Sequence, residues 1–243
     1  MSMLTVRFAS EALGKQTSFN VLHPDRGEGP FPVLIQLHGY SDDSFSWLFN
    51  SNITRYVADL PLVVVFPDGG TARYVNTPFH ERYALQRYED LIVRDIPREL
   101  ARLFRVTDGP WAIGGLSMGG QGSLRLGMKH SDRFGSIYAH SSGMLVPDPA
   151  WLAKLDDPDD ASCFVQADRL KARVDAGATL PVITFDCGVD DFTLDGNREL
   201  HAHMDAIGLE HTYREFSGAH TWEYWDEHVQ EALAQHTRVL GIA

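Results

Sequence analysis

Leu62 to Pro67 reads LVVVFP, an unbroken run of branched and aromatic apolar residues. A strand with one face in water alternates apolar with polar residues, because successive side chains point to opposite faces. A run without that alternation suits a strand covered on both faces. Phe31 to His38 (FPVLIQLH), Trp111 to Leu116, Phe134 to Ala139 and Pro181 to Asp186 are written in much the same way. Between and after them lie stretches with helical spacing: Glu81 to Phe104, Gly120 to Met128, Asn197 to Ile207, and Trp222 to Leu240. Strands alternating with helices predict an α/β architecture, a mostly parallel sheet with helices on both faces. Leu4 to Phe8 and Thr17 to Leu22 alternate more, and predict an antiparallel N-terminal pair at the sheet's edge.

A length of 243 residues with 44% apolar content fits one domain, 1–243, with ample material for a core. One stretch breaks the pattern. Residues 147–180 begin acidic and turn-rich (PDPAWLAKLDDPDDAS) and are too long for a plain connection, which predicts a small cap-like insertion over the strand ends. The formal net charge of -12, with acids spread along the chain, excludes nucleic acid as the expected partner, since phosphate backbones call for clustered Lys and Arg. The start, MSMLTVRFASEALGKQ, lacks the basic residues and apolar run of a signal peptide, and no segment reaches the ~18 apolar residues of a membrane span. Cys163 and Cys187 permit at most one bridge and have no metal-ligand spacing. Free thiols and a cytoplasmic location are the expectation.

The chemistry sits in GGLSMGG, Gly114 to Gly120, between an apolar strand and a helical pattern. Gly115-Leu-Ser-Met-Gly119 fits G-x-S-x-G, a strained strand-to-helix turn that pushes the Ser117 hydroxyl out at the carboxyl edge of the sheet. The helix behind it aims backbone N–H groups at the same spot. A serine hydroxyl is a weak nucleophile at neutral pH and needs a base, which in turn needs an orienting acid. In this kind of fold the chain order is Ser, then Asp or Glu, then His. Cys187-Gly-Val-Asp-Asp-Phe192 supplies Asp190 and Asp191, with Asp186 as an outside candidate, and spacing alone leaves the choice open. The spare aspartate would cap a helix. His220, in Gly218-Ala-His-Thr-Trp222, follows the expected strand Thr212 to Phe216 and is the base. The amides of Met118 and of Tyr40, just after Leu37-His-Gly39, are the expected oxyanion donors.

His38, Tyr74 and Trp222 are candidate substrate contacts, with Asn76 and Trp225 weighed beside them against core packing. His201 and His203 lack a third ligand at metal spacing and read as solvated or packed side chains. Asp156, Asp157, Asp159 and Asp160 read as a solvated surface of the insertion. No metal and no organic cofactor is called for. The same serine chemistry would serve an acyltransferase or a thioesterase, and a non-catalytic binding module is the rival from another class.

Together, Leu37-His-Gly39, Phe66-Pro-Asp-Gly-Gly70, Tyr74-Val-Asn76, Tyr88-Glu-Asp90, Gly115 to Gly120, Cys187 to Phe192, and Gly218-Ala-His220 with Trp222 and Trp225 resemble the esterase D-like branch of the α/β-hydrolases. That group holds tributyrin esterases, feruloyl esterases and S-formylglutathione hydrolases, and the resemblance spans essentially the whole chain. It implies an α/β-hydrolase fold and a serine carboxylesterase that cleaves short-chain or small acyl esters through a Ser-His-Asp triad. It selects Asp191, the second of the paired acids, and supports Tyr40 as an oxyanion donor. The His-Gly-Tyr motif favours the small-esterase subgroup over the glutathione thioesterases. Acyl length, leaving group and oligomeric state, homo-oligomer included, are left open.

Overall fold

The computed structural model describes residues 1–81, 84–143, 152–153, 155 and 157–242. The strands are β1 (Ser2–Ser10), β2 (Lys15–His23), β3 (Val33–Leu37), β4 (Val63–Pro67), β5 (Asn76–Glu81), β6 (Ala84–Arg87), β7 (Trp111–Leu116), β8 (Phe134–His140), β9 (Val182–Gly188) and β10 (Thr212–Phe216). Eight of them form one sheet in the order β1-β2-β4-β3-β7-β8-β9-β10, and β5 pairs with β6 alone. β1 and β2 run antiparallel at one edge, as their alternating sequences predict, and from β4 to β10 every pairing is parallel. The helices are α1 (Ser46–Asn50), α2 (Ile53–Tyr56), α3 (Tyr88–Asp90), α4 (Ile96–Leu103), α5 (Met118–Lys129), α6 (Cys163–Asp175), α7 (Leu194–Ala206) and α8 (Trp222–Val239).

The unbroken apolar runs are buried on both faces because each face has its own helical layer. Val33, Ile35, Leu37, Val63 and Val65 join one cluster with Leu100 of α4, Leu124 of α5, Leu170 of α6 and Leu200 of α7. Leu34, Val64 and Phe66, one residue out of step, join the opposite cluster with Trp225, Val229 and Leu233 of α8. Burying each such side chain contributes roughly 1.5–3 kcal/mol, an upper bound for a chain already partly compact when unfolded. The sheet thereby fixes where its parallel strands end, and those ends carry β7's serine, β9's acids and β10's following histidine.

The single long helix expected over Glu81 to Phe104 is corrected. Asn76 pairs with Arg87 in the β5–β6 hairpin, and helix begins only at Tyr88, passing through a π-turn at Leu91–Asp95 before α4. The Leu85 amide donates to the Leu13 carbonyl (2.9 Å) in the turn between β1 and β2. That distant backbone partner holds the segment extended against its local helical spacing.

The first part of the 147–180 insertion lies outside the described residues, apart from Leu152, Ala153 and Leu155. Its later part is a 3₁₀ turn, Pro158–Ala161, followed by α6, whose N-cap Ser162 hydroxyl accepts from the Val165 amide (3.4 Å). Cys163, Ala167 and Leu170 carry α6 into the core.

Asp160 is not part of a solvated patch. It pairs with Lys129 (2.7 Å) and with Arg125, whose side chain is only 1% exposed. Arg125 also meets Glu89, donates to the Tyr74 carbonyl (3.2 Å) and to the Asp160 carbonyl (2.5 Å), so one guanidinium ties α5 to the turns on either side. Asp157 is exposed and pairs with Arg169, and Asp156 lies outside the described residues. Burial alone would push the Glu89 carboxyl up, but hydrogen bonds from His130 and Lys129 and the Arg125 charge hold it well below the usual range. A depressed native pKa means that Glu89 contributes stability above its unfolded value of ~4.3, and that this is lost as pH falls toward the native value. Glu89→Gln, which removes one of the two carboxylates that face the buried Arg125 and leaves Asp160 as the other, should cost about 1–3 kcal/mol near neutral pH. Denaturant unfolding followed from pH 7 to 3 should also show a shallower acid-side decline in the variant than in the parent.

Candidate active site

Ser117 links β7 to α5 with φ of 52° and ψ of -115°, a left-handed backbone that side-chain-bearing residues seldom adopt and that costs on the order of 1–3 kcal/mol. The glycines on either side explain how the turn closes. A Cβ on Gly115 would stand 2.6 Å from the Gly119 carbonyl oxygen, and one on Gly119 would stand 2.5 Å from that of Leu37. No larger residue fits either place, so strand, turn and helix pass at backbone contact. The hydroxyl emerges at the carboxyl end of β7, over the first turn of α5, whose leading N–H groups have no partner within the helix.

His220 comes to that hydroxyl from the loop between β10 and α8. Its Nε2 is 2.9 Å from Ser117 Oγ, and its Nδ1 is 2.9 and 3.0 Å from the two carboxylate oxygens of Asp191. An ionised carboxylate only accepts, so the Nδ1 proton is donated to Asp191 and Nε2 is left to accept from the serine. Asp191 is chosen over its neighbours by direction. Its side chain is fully buried, whereas Asp190 faces solvent and Asp186 is bound by His140 (2.9 Å) and the Tyr224 hydroxyl (2.9 Å). Asp190 does not cap α7 either; that position is Thr193. Burial would raise the Asp191 carboxyl, but hydrogen bonds from His220, the Thr193 amide and hydroxyl and Ser141 lower it, so it stays ionised below the usual carboxylate range. A hydroxyl so placed can lose its proton to imidazole as it attacks a carbonyl, with the imidazolium steadied by a fixed negative charge.

A cleft of about 610 Å³ opens over Ser117 and His220, lined by Gly39, Tyr40, Leu116, Phe192, Trp222 and Trp225 among others. No described residue of the 147–180 insertion lines it. Tyr40 follows β3 at the rim, and Met118 opens α5 directly behind the serine. Trp222 and Trp225 meet edge to face at 5.3 Å on the cleft wall, and Trp225 also meets the His220 ring at 4.9 Å.

Two of the expected substrate contacts are corrected. His38 is 1% exposed, with Nδ1 donating to the Gly39 carbonyl (2.7 Å) and Nε2 accepting from the Gly69 amide (2.8 Å). Tyr74 is fully buried, its hydroxyl accepting from the His38 amide and donating to the His38 carbonyl, each at 3.0 Å. Both brace the loop that carries Tyr40, and neither lines the cleft. Asn76 takes the Asp90 amide (3.2 Å) in the β5–β6 region instead.

Three contributors are absent from the sequence reading. Ser141, buried with φ of 48°, accepts from Trp225 Nε1 (3.1 Å) and leaves its own proton for Asp191. Thr193 holds Asp191 Oδ1 through its amide and hydroxyl, each at 2.8 Å. Phe192, 71% exposed, lays its ring 4.4 Å from that of His220. The position of Ser141 just past a strand end was the available signal for it, and the Asp-x-Thr spacing that for Thr193.

A family model described as "Putative esterase" matches residues 10–236. An acetyl esterase from Caldicellulosiruptor saccharolyticus is 26% identical over 98% of this chain and 99% of its own length. The solved structure of a ferulic acid esterase is 28% identical, covers 98% of both chains and superposes with a TM-score of 0.82. An S-formylglutathione hydrolase from Agrobacterium tumefaciens, at 20% identity, shares the fold with a TM-score of 0.86, covering 98% of this chain and 95% of its own. With the α/β-hydrolase architecture in place and a family model spanning nearly its whole length, this chain belongs to the esterase family.

Proposed function

We propose that this esterase is a serine carboxylesterase for small acyl esters, with Ser117 as nucleophile, His220 as general base and acid, and Asp191 positioning the imidazole. The single observation that carries the reading is the continuous run of hydrogen bonds from Ser117 Oγ through both ring nitrogens of His220 to Asp191. Ser117 attacks the acyl carbonyl while its proton passes to His220 Nε2. The tetrahedral oxyanion is held by the amides of Met118 and Tyr40. Collapse expels the alcohol, which takes the proton from His220. Water, deprotonated by the same imidazole, then attacks the acyl-enzyme and releases the acid. None of these steps uses a thiol, and burial pushes both Cys163 and Cys187 up to about 12, so neither competes as nucleophile at neutral pH.

The acetyl esterase relative, similar over its full length, favours a small acyl group. Trp222, Phe192 and Tyr40 supply aromatic surface for the ester beside the nucleophile. The enzyme acts as one domain, 1–243, in the cytoplasm, a setting that the two unpaired thiols support. No helix of the described residues is long and apolar enough to cross a membrane.

Treatment with a fluorophosphonate should add one adduct by intact mass, and Ser117→Ala should lose both that adduct and ester cleavage, with turnover falling by about a million-fold. An adduct that survives the substitution would remove Ser117 from the nucleophile's role. Initial rates on p-nitrophenyl esters from acetate to decanoate should be highest at the short end.

The paired acids offer a sharper separation. Asp191→Asn should lower kcat by about 10⁴-fold, because an amide no longer holds the Nδ1 proton in place, whereas Asp190→Asn should stay within a few-fold of the parent. Equal losses in the two variants would overturn the assignment.

A further inference from the structure

At the far edge of the sheet from β1, the end of α7 and the start of β10 bring together three side chains that the ester chemistry does not use. His201 and Asp205 stand one turn apart on the same face of α7, and His211 follows the tight turn that leads into β10. One ligand atom from each lies within 4.8 Å of the others. The third partner that the spacing of His201 and His203 failed to supply therefore comes from the next element, while His203 itself turns away to Asp168 (2.8 Å). We propose that His201, Asp205 and His211 form a binding site for a divalent transition metal of the zinc class, separate from the Ser117 cleft.

The donors are oriented before any metal arrives. His211 Nδ1 is 2.8 Å from the Leu209 carbonyl, which can only accept, so Nδ1 carries the proton and Nε2 presents its lone pair to the cluster. A hydrogen bond from the non-ligating ring nitrogen is the outer partner that metal-bound histidines ordinarily have. The His211 ring is stacked on Phe185 at 5.7 Å and its side chain is 2% exposed, so its direction is fixed. His201 is flanked by Tyr213 (4.9 Å) and by His211 (5.1 Å).

His201 Nδ1 lies 2.8 Å from His211 Nε2, and Asp205 Oδ1 lies 4.0 Å from the same nitrogen. Tetrahedral zinc with bonds of ~2.1 Å sets its donors ~3.4 Å apart, so both of these separations need to change by less than about 1 Å. Neutral His201 has only to move its proton from Nδ1 to Nε2, which frees the Nδ1 lone pair for the metal. No proton is lost. Two imidazoles and one carboxylate suit zinc, cobalt or nickel better than calcium or magnesium, which take oxygen ligands. His201 and Asp205 have side chains 39% and 65% exposed, which leaves an entry path and room for water as fourth ligand. Filled, the site would pin the end of α7 to the exposed edge strand.

The test uses the untagged full chain, stripped with EDTA and dialysed. Zinc at about 100-fold over its Kd should raise the melting temperature by about 5 °C or more, because only the folded chain assembles the site. Cobalt should bind one ion per chain, with the visible absorption of a four-coordinate complex. His201→Ala and Asp205→Asn should lose both signals while melting like the parent without metal, and His203→Ala should keep both. Should His201→Ala shift metal-free melting, Asp205→Asn, at an exposed carboxylate, gives the same reading. The proposal fails if the parent binds neither ion stoichiometrically, which would leave His201 and His211 as a hydrogen-bonded pair only, or if binding survives in His201→Ala and Asp205→Asn.

Discussion

The backbone of Ser117 cannot hold its left-handed conformation by itself. Its amide donates to the His140 carbonyl (2.9 Å), and its carbonyl accepts from the Gly143 amide (3.0 Å), so the end of β8 grips the turn on both sides. The same end of β8 then continues into Ser141, whose hydroxyl stands between Trp225 Nε1 and Asp191. One strand end therefore fixes the strained serine and helps to fix the carboxylate that sits behind the histidine. Gly143 thus holds the Ser117 end of the Ser117–His220–Asp191 run and Ser141 the Asp191 end, two residues apart on one segment. Parallel strand order makes this economy available, because β7, β8 and β9 deliver their carboxyl ends to the same edge.

Asp191 illustrates how local bonding can outweigh burial. A carboxylate with no exposed side-chain surface would ordinarily favour its neutral form. Here two donors from Thr193 and one from His220 converge on it, with Ser141 adding another, and the balance runs the other way. The anion is thus in place behind His220 without any rearrangement.

The central strands of the large sheet were readable in advance because they are short, apolar and bounded, and β7 and β10 fall on the residues expected of them, whereas the β5–β6 hairpin was not. The nearness of Ser117 and His220 was readable because their motifs sit at strand ends, which the parallel sheet gathers at one edge. Other features depend on partners far away in sequence. Leu85 is held extended by Leu13, Asp160 is drawn inward by Arg125, and no window around either residue contains its partner. His38 and Tyr74 look like pocket residues because they flank the site in sequence, yet they are consumed in bonding the loop to itself. His201 looked solitary for the same reason, since His211 reaches it only across a turn.

Two aspartate–histidine pairs lie at the carboxyl ends of the parallel strands, one fully buried and one open to the cleft. His140 Nδ1 binds Asp186 at 2.9 Å, the same distance at which His220 Nδ1 binds Asp191. Pair identity and spacing are therefore equal. The difference lies at the second ring nitrogen. His140 Nε2 is buried and meets no hydrogen-bond partner among the described residues, whereas His220 Nε2 meets the Ser117 hydroxyl at the floor of an open cleft. Asp186 is further committed to the Tyr224 hydroxyl, which ties it to α8. A histidine oriented by a carboxylate becomes a base only where a proton donor and a path for substrate coincide. In this chain the glycine-lined turn at Ser117 sets a hydroxyl and an open cleft beside His220, and these are the conditions on which the proposed function rests.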